Sequence, residues 1–159
     1  MFVDTQTEFS DAQAVTATAI STNVIDTQAA LGGGTNIAGG NANQDLGQGE
    51  DVYLVVQTVV AATDTGSDAT LTVTLESATD AGLTTAAVVH FSTGALAFAA
   101  FSPAGTQIAV IKLPVADYKR YLGVRYTVAS GPLTAGAFDA FLTKDIQRNK
   151  IYKSAFTVQ

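Results

Sequence analysis

The sequence predicts an all-β protein, an antiparallel sandwich or jelly roll, on three observations. Apolar and polar residues alternate with period two over several short runs. Those runs are separated by clusters of Gly, Pro, Asp and Ser, the residues that supply tight turns. Charged residues make up only 14% of the 159, and no long amphipathic helical pattern occurs. Short strands punctuated in this way favour a sandwich over alternating βα units. The length suits one domain over 1–159, with a Gly-rich loop at about 30–51 and a basic C-terminal arm at about 144–159.

The start, "MFVDTQTEFSDAQ", is acidic and lacks the basic region of a secretory signal. Ser10 and Gln13 in "FSDAQAV" stand at capping-box spacing, which predicts a short turn of helix. From Ala30 to Asp51 the chain holds seven of its fourteen glycines and no regular pattern. Such a length predicts a mobile loop or an arm that orders against a partner. It fits no phosphate loop, because no Gly-Lys-Ser/Thr follows. Asn41, Asn43 and Asp45 match three positions of a calcium loop, but Gly47 comes one place late and Val52 replaces the closing glutamate.

Next, "DVYLVVQTVVAA" is apolar on both sides and predicts a strand buried between layers. "TDTGSD" is a turn. "ATLTVTLE" is a strand with Ala69, Leu71, Val73 and Leu75 inward and Thr70, Thr72, Thr74 and Glu76 outward. Threonine suits the outer face, since its branched Cβ favours extended backbone while its hydroxyl meets water. After a turn at "SATDAG", "AVVHF" and "TQIAVIKLP" read as two more strands, with "SPAG" between them. "RYLGVRYTV" places Leu122, Val124, Tyr126 and Val128 opposite Tyr121, Arg125 and Thr127. Beyond the "ASGP" turn, "AFDAFLT" alternates Phe138, Ala140 and Leu142 with Asp139, Phe141 and Thr143. "TKDIQRNK" then forms a turn or an extended arm.

Few residues invite chemistry. Cysteine is absent, which removes disulfides and thiolate metal sites. Asp64-Thr65-Gly66-Ser67 spells the active-site signature of aspartic proteases, which need two aspartates sharing a proton. A dimer could supply both, with Tyr121-Leu122-Gly123 as a partner motif. However, Ala62-Thr63 replace the expected apolar pair and no glycine-rich flap lies between the motifs. The residues are equally explained by a turn in which Asp64 and Asp68 cap backbone amides and Gly66 takes a positive φ. The single histidine, His90, sits on a strand with no serine elbow to serve. The expectation is therefore no enzyme, no metal and no cofactor.

Charge is strongly segregated. Residues 1–111 hold eleven carboxylates and no Lys or Arg, while 112–159 hold all eight basic residues against three acidic ones. Either the two parts neutralise each other within one fold, or they orient docking between surfaces of opposite sign. Lys144, Arg148, Lys150 and Lys153, with Tyr152 among them, form the candidate interface. Four charges on a chain of net charge −6 are too few for nucleic acid. No apolar run approaches the ~20 residues of a membrane helix.

Four stretches together, Phe9–Thr27, Thr63–Asp80, Arg120–Val128 and Gly136–Gln147, resemble the small capsid cement (decoration) proteins of tailed bacteriophages. The resemblance implies a jelly-roll β-sandwich on the outer surface of the icosahedral capsid, in virions assembled in the host cytoplasm. It implies the major capsid protein as partner, together with self-association as homodimer or homotrimer, and no nucleic acid or membrane. The Gly-rich stretch from Gly32 to Gly49 is longer than the family's usual connection. Alternative readings are a virion sandwich that binds carbohydrate or a host surface and, more remotely, the Asp64 protease.

Overall fold

A computed structural model describes residues 3–27 and 49–146. A 3-10 turn at Thr5–Thr7 leads into β1 (Glu8–Ala14), followed by the short β2 (Ala19–Ile20) and β3 (Ile25–Asp26). Then come β4 (Tyr53–Thr63), β5 (Thr70–Ala78), β6 (Val88–Ser92) and β7 (Leu96–Ala97). One helical turn, α1 (Phe98–Phe101), precedes β8 (Gln107–Lys112), β9 (Tyr121–Ala129) and β10 (Ala135–Thr143).

The strands form two antiparallel sheets. One has the order β1-β10-β4-β8; the other runs β2-β9-β5-β6, with β3 extending the β2 edge and β7 continuing the β6 edge. Counting β2 with β3 and β6 with β7 gives eight strands in jelly-roll order, so the expected fold class is observed. The chain crosses between sheets at almost every connection. Strands distant in sequence therefore become neighbours, as where β1 pairs with β10.

Inward residues of both sheets meet in one core. Phe9, Leu54, Val56, Leu71, Val73, Leu75, Val124 and Phe138 are all sealed from solvent. The Tyr126 ring stacks on Phe138 with centroids 5.6 Å apart, and Phe138 approaches Phe101 at 6.4 Å. Tyr126 keeps its hydroxyl satisfied by donating to Ser10 Oγ at 3.1 Å. Burial pushes the Tyr126 phenol well above its ordinary range. Ser10 in turn donates to Gln13 Oε1, which also accepts the Thr22 amide, while Gln13 Nε2 donates to the Ile20 carbonyl. Among the described residues no buried side-chain polar atom lacks a partner.

The predicted inward faces of "ATLTVTLE", "RYLGVRYTV" and "AFDAFLT" all face the core. Four expectations need correction. "FSDAQAV" is strand β1 rather than a helical turn; pairing with β10 and a bulge at Ala12 (φ 42°) override the cap-like spacing. Ser10 donates to Gln13 rather than capping a helix start, and Gln13 bonds the backbone of Ile20 and Thr22 on the neighbouring segment. In the "TDTGSD" turn the positive φ falls on Ser67 (54°), not Gly66. Finally, β4 is buried on both sides only over Leu54–Val56, since Val59 and Val60 lie past a register shift where its outer face meets solvent.

Candidate docking end of the sandwich

Short crossings fix which loops share an end. The connection from β8 to β9, residues 113–120, and the one from β5 to β6, residues 79–87, lie together, because the Lys119 amide donates to Ser77 Oγ and Lys119 Nζ to the Ala86 carbonyl. The same end receives Val52, whose carbonyl accepts the Leu113 amide. It also receives Thr143, paired with Tyr53, and the β3 residue Asp26, paired with Tyr121. Thr27 and Gly49, which flank the Gly-rich segment, and Ile146, which precedes the basic arm, thus emerge from one end. Arg148, Lys150, Tyr152 and Lys153 lie outside the described residues, as does most of the Gly-rich loop, including Asn41, Asn43, Asp45 and Gly47.

Lys144, the one candidate interface residue described, pairs with Glu50. Lys112 pairs with Asp51, Arg120 with Asp26 at 2.9 Å, and Arg125 with Glu76 at 3.0 Å. Each of these pairs joins a base from the last third of the chain to a carboxylate from the first two-thirds. Four of the five described basic residues are thus paired with carboxylates from the acidic part of the chain. The hydrogen bond from Lys112 holds Asp51 below the usual carboxylate range, and Asp26 raises the Arg120 guanidinium. Exposed pairs of this kind contribute little to stability, so they orient loops more than they stabilise.

The Arg125–Glu76 pair differs because it is covered. Glu76 is buried on the outer face of its sheet, its carboxylate accepting from both Arg125 Nε and Thr74 Oγ1. Arg125 Nη2 donates to the Leu83 carbonyl at 2.8 Å. The cover is the 79–87 loop, which folds back over the sheet with Leu83 fully buried. Gly123 makes this possible: a Cβ there would stand 2.8 Å from Leu83 Cδ1 and 2.9 Å from Val24 Cγ1. Asp80 fixes the loop by accepting from the Thr84 and Thr85 amides and the Thr84 hydroxyl, which hold its carboxyl at a pKa of about 2. Leu83 (φ 51°) and Ala86 (φ 52°) take left-handed backbone that only such constraints sustain.

The loop thereby presents Thr84–Val89 as a continuous exposed stretch with no charge. Beyond it, His90 shares a 2.7 Å hydrogen bond with the buried Ser77 and packs on the Tyr118 ring at 4.5 Å. Burial, then the nearby Lys119, lowers the His90 pKa. Ser77 is sealed from solvent, so this Ser–His contact offers no nucleophile to a substrate.

Asp64 lies at the opposite end and accepts the amides of Asp68 and Ala69, both at 3.1 Å. These bonds hold its carboxyl below the usual range, which suits a turn cap rather than a proton-sharing acid. Gly123 pairs with Glu76, while Asp64 lies beyond the Thr70 end of β5, ~20 Å away along the strand. The two halves of the protease reading are thus not brought together within one chain. Tyr121 carries the Arg120 guanidinium 4.9 Å from its ring centroid, so that face is not open for stacking on a sugar. Among the described residues, no cluster of His, Asp or Glu could hold a metal, and no helix is long and apolar enough to cross a membrane.

No motif announces the covering loop, although an isolated Leu83 inside the polar run "TDAGLTT" is the mark such a plug leaves. A protein-family model, Bbp16, matches residues 9–142, from the second residue of β1 to the penultimate residue of β10. A search of curated proteins finds no match.

Proposed function

The chain belongs to the Bbp16 family, and from that premise we propose that it is a phage capsid cement protein. It binds the outside of the icosahedral head and stabilises contacts between major capsid protein subunits. The observation that carries this reading is the jelly-roll order, with Thr27, Gly49 and Ile146 brought to one end. A rigid sandwich that brings residues 27, 49 and 146 to a single end offers one face for docking on a large surface. Repeated across a lattice, modest contacts of this kind add up to tight retention.

Further support comes from the groups that could carry chemistry. Asp64 caps a turn, His90 is held by a buried serine, and Arg125 with Glu76 holds a loop. Each of these groups is engaged in holding the fold. The four stretches that resemble phage cement proteins fall on β1–β3, β5, β9 and β10, strands drawn from both sheets.

Docking through the basic arm is tested with heads that lack the chain. Added protein should cosediment with them, and Arg148→Glu, Lys150→Glu and Lys153→Glu together should abolish retention at physiological salt. Lys144 is left unchanged because it is already paired with Glu50. Undiminished retention of the triple variant would refute docking through the arm, and no cosedimentation of the unaltered chain would refute the cement reading.

A further inference from the structure

We infer that His90 is a proton-sensitive latch on the 113–120 loop, and that protonating its ring frees this loop from the 79–87 loop beside it. The latch is built on one buried hydroxyl. Ser77 Oγ is sealed from solvent and meets the Lys119 amide at 3.0 Å and His90 Nε2 at 2.7 Å. An amide can only donate, so the Ser77 oxygen accepts from Lys119. A buried hydroxyl hydrogen needs an acceptor of its own, and His90 Nε2 is the one in place. The ring is therefore neutral, with its hydrogen on Nδ1.

A proton on Nε2 undoes this arrangement. Two donors then face the Ser77 oxygen, and the Ser77 hydrogen loses its acceptor. An unpaired buried donor is unfavourable, and parting of the contact relieves it. The cost falls on Lys119, which fastens its loop at two points. Its amide bonds Ser77 at the end of β5, and its ammonium bonds the Ala86 carbonyl. An imidazolium beside that ammonium adds like-charge repulsion.

The groups around the ring do not rescue its charged form. Lys119 opposes a second positive charge. Glu76 neighbours Ser77 but points to the opposite face of the sheet, where Arg125 and Thr74 hold it. Asp80 is committed to the Thr84 and Thr85 amides, and Asp117 is exposed. Tyr118 packs its ring on the imidazole while its hydroxyl donates to the Pro114 carbonyl. In the closed contact burial, then Lys119, lowers the His90 pKa, whereas the freed ring titrates near the ordinary 6.5. Opening is thus insensitive to pH above 6.5. Below it, opening grows by up to about tenfold per pH unit until the closed form itself takes up the proton.

The latch does not depend on the capsid reading. Hydrogen exchange of the Lys119 amide in the unaltered chain, corrected for the intrinsic rate at each pH, reads it directly. Protection of Lys119 should fall several-fold from pH 7 to pH 5. At pH 5 it should lie well below that of the β4–β10 ladder, and it should barely respond to dilute urea, the mark of a local opening. His90→Gln supplies a carbonyl that accepts from Ser77 without titrating, so it should remove the pH dependence. Should that variant misfold, nitrogen NMR of the single histidine in the unaltered chain at pH 8 should place its hydrogen on Nδ1. Three results would overturn the latch: Lys119 protection that ignores pH or falls only in step with the ladder, a fall that persists in His90→Gln, or a hydrogen on Nε2 at pH 8.

Discussion

Replacing Arg125 should destabilise the protein far more than replacing its partner Glu76, and the asymmetry follows from burial. The Glu76 side chain is 7% exposed, that of Arg125 28%. In Arg125→Ala the carboxylate stays nearly dry, with the Thr74 hydroxyl as its remaining side-chain donor. Stripping one partner from a buried pair costs about 3–5 kcal/mol, and the partial exposure of Arg125 argues for the lower end, ~3 kcal/mol. The lost bond to the Leu83 carbonyl is part of the same unit and does not add in full. In Glu76→Gln, Arg125 keeps the Leu83 carbonyl and reaches water, and the amide still bonds Thr74, so ~1 kcal/mol is expected. At this chain length ~3 kcal/mol lowers Tm by roughly 6–12 °C. Urea melts of both variants and of the double Glu76→Gln/Arg125→Ala variant supply the assay. The double variant should be more stable than the sum of single losses predicts. Hydrogen exchange should show the Leu83 loop opening in Arg125→Ala. Equal losses in the two single variants, or an Arg125→Ala loss below ~1 kcal/mol, would refute the idea of a covered ion pair holding the loop.

Gly123→Ala should cost about 1–2 kcal/mol by crowding Leu83 and Val24, less in a Leu83→Ala background where the plug is already gone; denaturant melts of the four-member cycle decide. Asp80 contributes stability that is present above the ordinary carboxylate pKa near 3.8 and is lost as pH falls toward about 2. Asp80→Asn should therefore lower Tm at pH 7 and flatten the acid limb of the Tm profile between pH 4 and 2. His90 runs by the same logic from its lowered pKa: its neutral form costs nothing above pH 6.5, and stability drains as pH falls below that value, because the unfolded chain takes up the proton first. As the only histidine, it can be titrated by NMR without ambiguity, and a midpoint at or above 6.5 would contradict its buried contact with Ser77.

Much of the fold was legible because strict alternation leaves little freedom. Once Leu71, Val73 and Leu75 share a face, the threonines between them must point outward, and the structure agrees. What the sequence concealed is tertiary. The cap-like Ser10 and Gln13 lie in a strand because pairing with β10 outweighs a local preference of about 1 kcal/mol. Gly123 looked like part of a protease motif, whereas its missing side chain makes room for a loop forty residues earlier in the chain. Charge segregation was plain in the sequence, but which base meets which acid depended on strand order. Of the candidate interface, Lys144 could be placed, and its pairing with Glu50 shows that counting charges alone does not identify a free docking group.

The central claim is that this sandwich rides on the outside of a phage head, held by surface complementarity. A density map of intact particles tests it most directly. An eight-stranded jelly roll is expected on the outer shell surface, with the end that carries Glu50 and Lys144 turned toward the capsid subunits. Particles whose maps show no such density, or show it inside the shell, would contradict it.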